Sequence, residues 1–117
     1  MTGPVRPLHQ EVAVLALIPD QSQWQEVLDA WDGARPGSAL GCEWVTRFQG
    51  NKRIVAIHTG IDDISAAVSA QYAVDRWQPE LLVAAHPMIV FSHIAERNGL
   101  PLADRDGMPV AEWIASL

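Results

Sequence analysis

The stretch RIVAIHTGIDDISAAVSAQYAVDRWQPELLVAAH, residues 53–86, decides how this chain folds. Ile54–Ile57 is a continuous apolar run rich in β-branched residues, which suits a strand lying deep in a sheet. Gly60 breaks that strand, and residues 61–77 carry the strongest helical pattern in the chain. Asp62 and Asp63 suit the positive end of a helix dipole. Ala66, Ala67, Ala70 and Ala73 let the helix lie close to a sheet, and Asp62, Ser65, Ser69 and Arg76 mark a polar stripe along it. Gln78-Pro79 ends the helix, and Leu81–Ala85 returns as a second buried strand. Strand, helix, strand with short connections is a βαβ unit, with parallel strands and a right-handed crossover.

Outward from this unit the pattern continues in the same alphabet. EVAVLALI, residues 11–18, is another doubly buried strand, closed by Pro19. A helix follows over 20–31, with Asp20 or Ser22 as N-cap and Trp24, Val27, Leu28 and Trp31 on one face. Residues 32–41 read as a Gly-, Pro- and Ser-rich loop. CEWVTRFQ and the strand beginning at Arg53 form a β-hairpin around Gly50-Asn51. Beyond Pro87, Val90, Phe91, Ile94 and Ala95 have helical spacing, with Asn98-Gly99 as C-cap. LPLADRDGMP is a loop or short edge strand, and VAEWIASL is a final short helix. Residues 1–10 are expected to be a flexible arm, and 11–117 a single α/β domain. The expected architecture is three-layer α/β/α around a small mixed sheet, with one β-hairpin and one right-handed βαβ unit.

Composition narrows the functions open to such a domain. With 49% apolar and 19% charged residues the chain has ordinary globular composition. A net charge of −6 and scattered arginines supply no basic surface for nucleic acid. The single Cys42 leaves no intramolecular disulfide and no cysteine-rich zinc site, and reads as a small buried hydrophobe. The longest apolar run, Val12–Ile18, is too short to span a membrane, and the polar start is not expected to act as a signal peptide. A cytoplasmic protein without membrane or nucleic-acid partners is expected. Five tryptophans favour a packed interface as well as a core, so a homodimer or a partner chain is expected too.

The carboxyl ends of the strands are where ligands bind in an open α/β sheet. His58 and His86 end two strands that could lie side by side. With Asp62 or Asp63 they would resemble a metal site with open positions, but two rim histidines bonded to backbone or water is the preferred reading, and no metal or other cofactor is expected. His93 lies seven residues after His86 and could share its helical face. Ser65 and Ser92 lack a nucleophile elbow, and Walker or dinucleotide glycine patterns are absent.

Several strings in order carry a resemblance. ALIPDQSQWQEVL, Gly41-Cys42-Glu43, Thr59-Gly60-Ile61-Asp62, and Gln78-Pro79-Glu80 running into Leu81–His86 together resemble the amino-terminal half of the nucleoside phosphorylase superfamily. The methylthioadenosine/S-adenosylhomocysteine nucleosidases are the branch they look most like. The resemblance implies a nucleoside or purine ligand. It also implies that an acidic residue after the first strand activates the attacking water. Gln21 or Gln23 stands at that place here, and a carboxamide cannot accept the proton, although Asp20 lies close enough to substitute. The family's glycine-rich loop beside the ribose is replaced by His86-Pro87-Met88-Ile89-Val90, whose bulk occupies space where a ligand would approach backbone. Asp104 or Asp106 could be a remnant of the family's late acidic motif. Two readings are open. One is a reduced nucleosidase-like domain without hydrolysis, binding a small ligand through Gln21, His58, His86 and Met88 or serving as an interaction module. The alternative is an active purine N-ribosyl hydrolase or phosphorylase completed across an oligomer interface, using Asp20, Asp104 and Asp106.

Overall fold

The computed structural model describes residues 12–31, 34, 36–39, 41–86 and 88–117. The expected arm over 1–10 and the expected role of Pro87 lie outside these residues. The elements are β1 (Val14–Ile18), α1 (Gln21–Ala30), β2 (Gly37–Ala39), β3 (Cys42–Gln49), β4 (Lys52–His58), α2 (Asp63–Trp77), β5 (Leu81–Ala84), α3 (Ile89–Arg97), β6 (Leu102–Asp104) and α4 (Val110–Ala115). One six-stranded sheet has the order β2-β3-β4-β1-β5-β6. β1 is parallel to both β4 and β5, β5 is parallel to β6, and the β2-β3-β4 edge is antiparallel. The sheet is therefore mixed, and the architecture is α/β.

Period-two alternation along β1 explains the three layers. Leu15 and Leu17 pack with residues of α2 and α3, including Ala66, Ala70, Ala73, Phe91 and Ile94. Ala16 and Ile18 face the other way, into Trp24, Val27 and Trp31 of α1 and Trp113 and Ile114 of α4. The indole of Trp31 donates to the Ile114 carbonyl at 3.3 Å, tying the two helices of that layer together. Ala66, Ala70 and Ala73 are fully buried, as their small size requires of a helix lying tight on a sheet.

Three details differ from the sequence reading. The loop over 32–41 contains a short edge strand, β2, paired antiparallel with β3; a three-residue strand with Gly and Ser in it carries almost no propensity signal. The polar stripe expected on α2 is exposed at Asp62, Ser65 and Arg76 but broken at Ser69. Ser69 is buried, with its hydroxyl 2.8 Å from the Cys42 sulfur, while Ile64 and Val68 are exposed. Cys42 is correspondingly half-buried and polar in its contacts, not a sealed hydrophobe. Finally, β4 and β5 are parallel but not neighbours, because the crossover through α2 passes over β1.

β2 is held against the sheet by a close fit. A Cβ placed on Gly37 would sit 2.4 Å from Cζ2 of Trp44, the residue opposite it. The Trp44 ring has little freedom to retreat, since it meets Trp77 edge-on at 5.0 Å between centroids and carries Arg76 on its face. Gly37→Ala should therefore destabilise the fold by about 1–3 kcal/mol in urea unfolding, the usual cost of overpacking. In a Trp44→Leu background most of that cost should vanish.

Candidate functional site

The ladders of the parallel strands run on past their ends and build a rim. Thr59 N–H donates to Ile18 O at 3.0 Å, Ala85 N–H to Leu17 O at 3.1 Å, and Arg105 N–H to Ala84 O at 2.9 Å. These bonds fix the residues just beyond β4, β1, β5 and β6 along one edge of the sheet. The sequence candidates Asp20, His58, His86, Asp104 and Asp106 all lie on this edge.

They do not form one group. On the β1-β5-β6 side, His86 Nδ1 stands 3.8 Å from Asp106 Oδ1, close enough for an ion pair when the imidazole is protonated. Asp106 N–H donates to Asp104 Oδ1 at 2.8 Å, which shapes the turn after β6. Asp20 caps α1: its Oδ1 accepts from the Ser22 backbone N–H at 2.8 Å and the Ser22 hydroxyl at 2.7 Å. Those bonds, the side-chain one first, hold its carboxyl below the usual range, with a smaller contribution from nearby His86. Asp20, His86 and Asp106 thus form a loose, exposed polar cluster.

On the β3-β4 side, His58 ends its strand stacked on Trp24, with ring centroids 5.6 Å apart and planes inclined by 11°. The Trp24 indole donates in turn to Glu43 Oε1 at 2.9 Å. One face of the imidazole is thereby fixed against the core. Beside it a cleft of about 370 Å³ opens, walled by His58, Thr59, Ser65 and Ser69 on the polar side and by Ile64 and Val68 on the apolar side. Its volume falls at the lower end of the ~300–1,000 Å³ seen for small-molecule sites. No carboxylate is among its described lining residues. Asp62, next to it in sequence, is engaged as the N-cap of α2, accepting from Ser65 N–H at 3.1 Å.

The other sequence candidates fall elsewhere. Gln21 is exposed on the first turn of α1. Met88 is buried in the core between β5 and α3, where it is the N-cap residue and makes no side-chain cap bond. His93 lies on α3, whereas His86 precedes that helix, so the two share no helical face. No group of three or more His, Cys, Asp or Glu suited to a metal occurs among the described residues. Neither the Cys42–Ser69 contact nor the Trp24–His58–Glu43 chain is visible in the sequence. The only signals pointing toward them are the alternation of the hairpin and the helical phase of α2.

The same fold occurs in solved structures of nucleosidases. Over 63% of this chain and 32% of the other, it matches a Neisseria meningitidis 5'-methylthioadenosine/S-adenosylhomocysteine nucleosidase in complex with methylthio-immucillin-A, with TM-score 0.55 and 14% identity. Futalosine hydrolase of Helicobacter pylori matches over 64% of this chain and 33% of its own, with TM-score 0.56 and 10% identity. A Helicobacter pylori MTAN mutant with 5'-methylthioadenosine in its active site matches over 81% of this chain and 63% of its own, with TM-score 0.57 and 8% identity. The chain spans about a third of the length of the first two. At these identities the likeness is one of fold. No protein-family model and no curated protein matches the chain.

The cap bonds of Asp20 carry a pH signature. Its folded pKa is depressed, so the stability it adds is present above the unfolded value near 3.8 and is lost as pH falls through the lower folded value. Asp20→Asn keeps a good N-cap but removes the titration. Its melting temperature should fall less than that of the unmodified chain as pH is lowered below 3.8, as followed by circular dichroism.

Proposed function

We propose that this chain is a nucleosidase-fold binding domain that takes a small nucleoside or purine ligand in the cleft beside His58 and does not hydrolyse it. One observation carries the reading: the cleft and the His86–Asp106 pair stand on opposite sides of β1. Strands in a sheet are about 4.8 Å apart, so the end of β4 lies roughly 10 Å from the end of β5, and further from that of β6. A general base must come within about 3 Å of the proton it takes, or act through one water. His86 and Asp106 are thus badly placed for a ligand in the cleft. Asp20, which follows β1 itself, is occupied by Ser22.

The cleft itself is suited to recognition. The exposed Ser65 hydroxyl can meet a sugar or a base edge, while Ile64 and Val68 offer apolar area for a ring. The Thr59 hydroxyl donates to Gly60 O at 3.0 Å, and that of Ser69 lies 2.8 Å from the Cys42 sulfur. Ile61, Ile64 and Val68 are exposed at 58%, 74% and 54%, and an exposed apolar strip of this kind favours a covering partner, for which a second copy of the chain is the simplest choice. The ligands held by the fold neighbours support a nucleoside or purine as the class to try first.

The second reading, an active hydrolase, is favoured by the approach of Asp20, His86 and Asp106 at the rim, where a ligand outside the cleft would find acid and base groups together. One experiment separates the two. Thermal melts with adenine, adenosine and methylthioadenosine should show stabilisation of about 2.7 kcal/mol at a hundred times Kd, with no free base in parallel chromatography. Val68→Lys, which places a charge at the mouth of the cleft, should remove the shift. Release of free base that disappears in Asp20→Asn or Asp106→Asn would establish the hydrolase instead.

A further inference from the structure

We propose that the hairpin carries a second site on its α2 side, which binds the oxyanion group of a small molecule, a carboxylate or a phosphate, between Arg53 and Arg76. Alternation places Trp44, Thr46 and Phe48 of β3 on that side, together with Arg53, Val55 and Ile57 of β4. Phe48 stands opposite Arg53, and Thr46 opposite Val55, so Thr46 and Arg53 are diagonal neighbours. Arg76, in the last turn of α2, lies against the Trp44 ring on the same side and near enough to act on the charge of Arg53. Its Cζ lies 4.8 Å from the Trp44 and Trp77 ring centroids and 6.0 Å from that of Tyr72, and its Nη1 donates to the Tyr72 hydroxyl at 2.8 Å.

Two features of this cluster are unexplained by the fold. First, two guanidiniums are held near one another in a chain of net charge −6, and among the described residues neither is paired with a carboxylate. Burial first, and Arg76 second, pull the Arg53 guanidinium below its ordinary value. Second, Arg53 Nε and Thr46 Oγ1 are shielded from solvent and have no hydrogen-bond partner. Unpaired buried donors of this kind are uncommon in folded proteins. Trp44 Nε1 is also unpaired, but its side of the ring faces Gly37, so it is not counted as part of the site.

A bound oxyanion answers both features. It neutralises the like charges and gives Arg53 Nε and Thr46 Oγ1 an acceptor. The Trp44 and Trp77 rings hold the Arg76 guanidinium from one side, and its edge N–H groups suit the in-plane, forked bonding that carboxylates and phosphates accept. The acceptor must reach atoms below the surface, which a small oxyanion does with a shift of the exposed Arg76 side chain. Arg53 and His58 are five residues apart on β4, about 16 Å at a strand's rise, so this site is independent of the rim and of the cleft.

The test is a titration of the protein with inorganic phosphate and with succinate, against sodium chloride at matched ionic strength. It is read by thermal melts and by the tryptophan indole resonances in nitrogen-15 correlation spectra. Phosphate, succinate or both should raise the melting temperature saturably and move the Trp44 indole with the same midpoint, leaving that of Trp113 in place. Which of the two anions acts identifies the source of the oxyanion. Arg53→Gln and Arg76→Gln should each raise the midpoint by about tenfold or more, the equivalent of one charge-assisted hydrogen bond, whereas His86→Ala should leave it unchanged. A response no larger than that to chloride would overturn the proposal, as would a saturable response that both arginine variants keep. Should either variant fail to fold, the Trp44 indole in the unmodified protein decides: its movement supports the site, and its immobility refutes it.

Discussion

Everything in this molecule is arranged around one strand that has no free side. β1 is hydrogen-bonded along both edges, to β4 and to β5, and is covered on both faces by helices. Leu15, Ala16, Leu17 and Ile18 reach no solvent at all. Such a strand cannot carry a polar side chain without an unpaired group in a dry core. All chemistry in the neighbourhood is therefore displaced to the strand ends, where the backbone leaves the ladder. That is the physical reason the rim of an open α/β sheet collects functional residues. It is also why β1 divides the rim here: the residues just beyond β4 and those just beyond β5 are held a fixed distance apart by the strand between them.

That division is only partly legible in the sequence. The apolar runs at 11–18, 53–57 and 81–85 announce buried strands, and Asp20 or Ser22 as cap and the acidic pair Asp62-Asp63 announce the helices; the elements appear within a few residues of their expected bounds. The order of the strands in the sheet is not legible, because nothing in the local pattern of β4 or β5 says that β1 inserts between them. Side-chain partnerships across the sheet are equally silent. Ser69 belongs by sequence to the polar stripe, and its buried hydroxyl lies 2.8 Å from the Cys42 sulfur. Ile64 and Val68 are exposed, since the helix turns its alanines to the sheet to obtain the closest approach.

The Trp24–His58–Glu43 chain shows how local sequence and tertiary packing combine to shape the cleft. Trp24 is placed by the helical phase of α1, Glu43 by the alternation of β3, and His58 by the register of β4 on β1. The carboxylate holds the indole, and the indole holds the imidazole face. A histidine fixed in this way is a wall of the cleft first, with its ring edge the part left to meet a ligand. The cluster at Asp20, His86 and Asp106 has no comparable scaffold, being built from turns and left with 3.8 Å between the His86 ring and the Asp106 carboxylate. Preorganisation therefore favours recognition at the cleft over chemistry at the rim.

Charge along the strand direction obeys the same geometry. The rim end holds Asp62 and Asp63 at the amino terminus of α2, and the opposite end holds Arg76 at its carboxyl terminus. Both choices complement the helix dipole, an effect of about 0.3–1 kcal/mol each at exposed positions. The dipole is thus sufficient to account for Arg76 as a helix residue. It does not account for Arg53, which belongs to a strand, is half-buried, and loses solvation beside a like charge. An aliphatic residue opposite Phe48 would leave no unpaired donor there. The Arg53 Nε is shielded and has no acceptor, and among the described residues no carboxylate is paired with its charge.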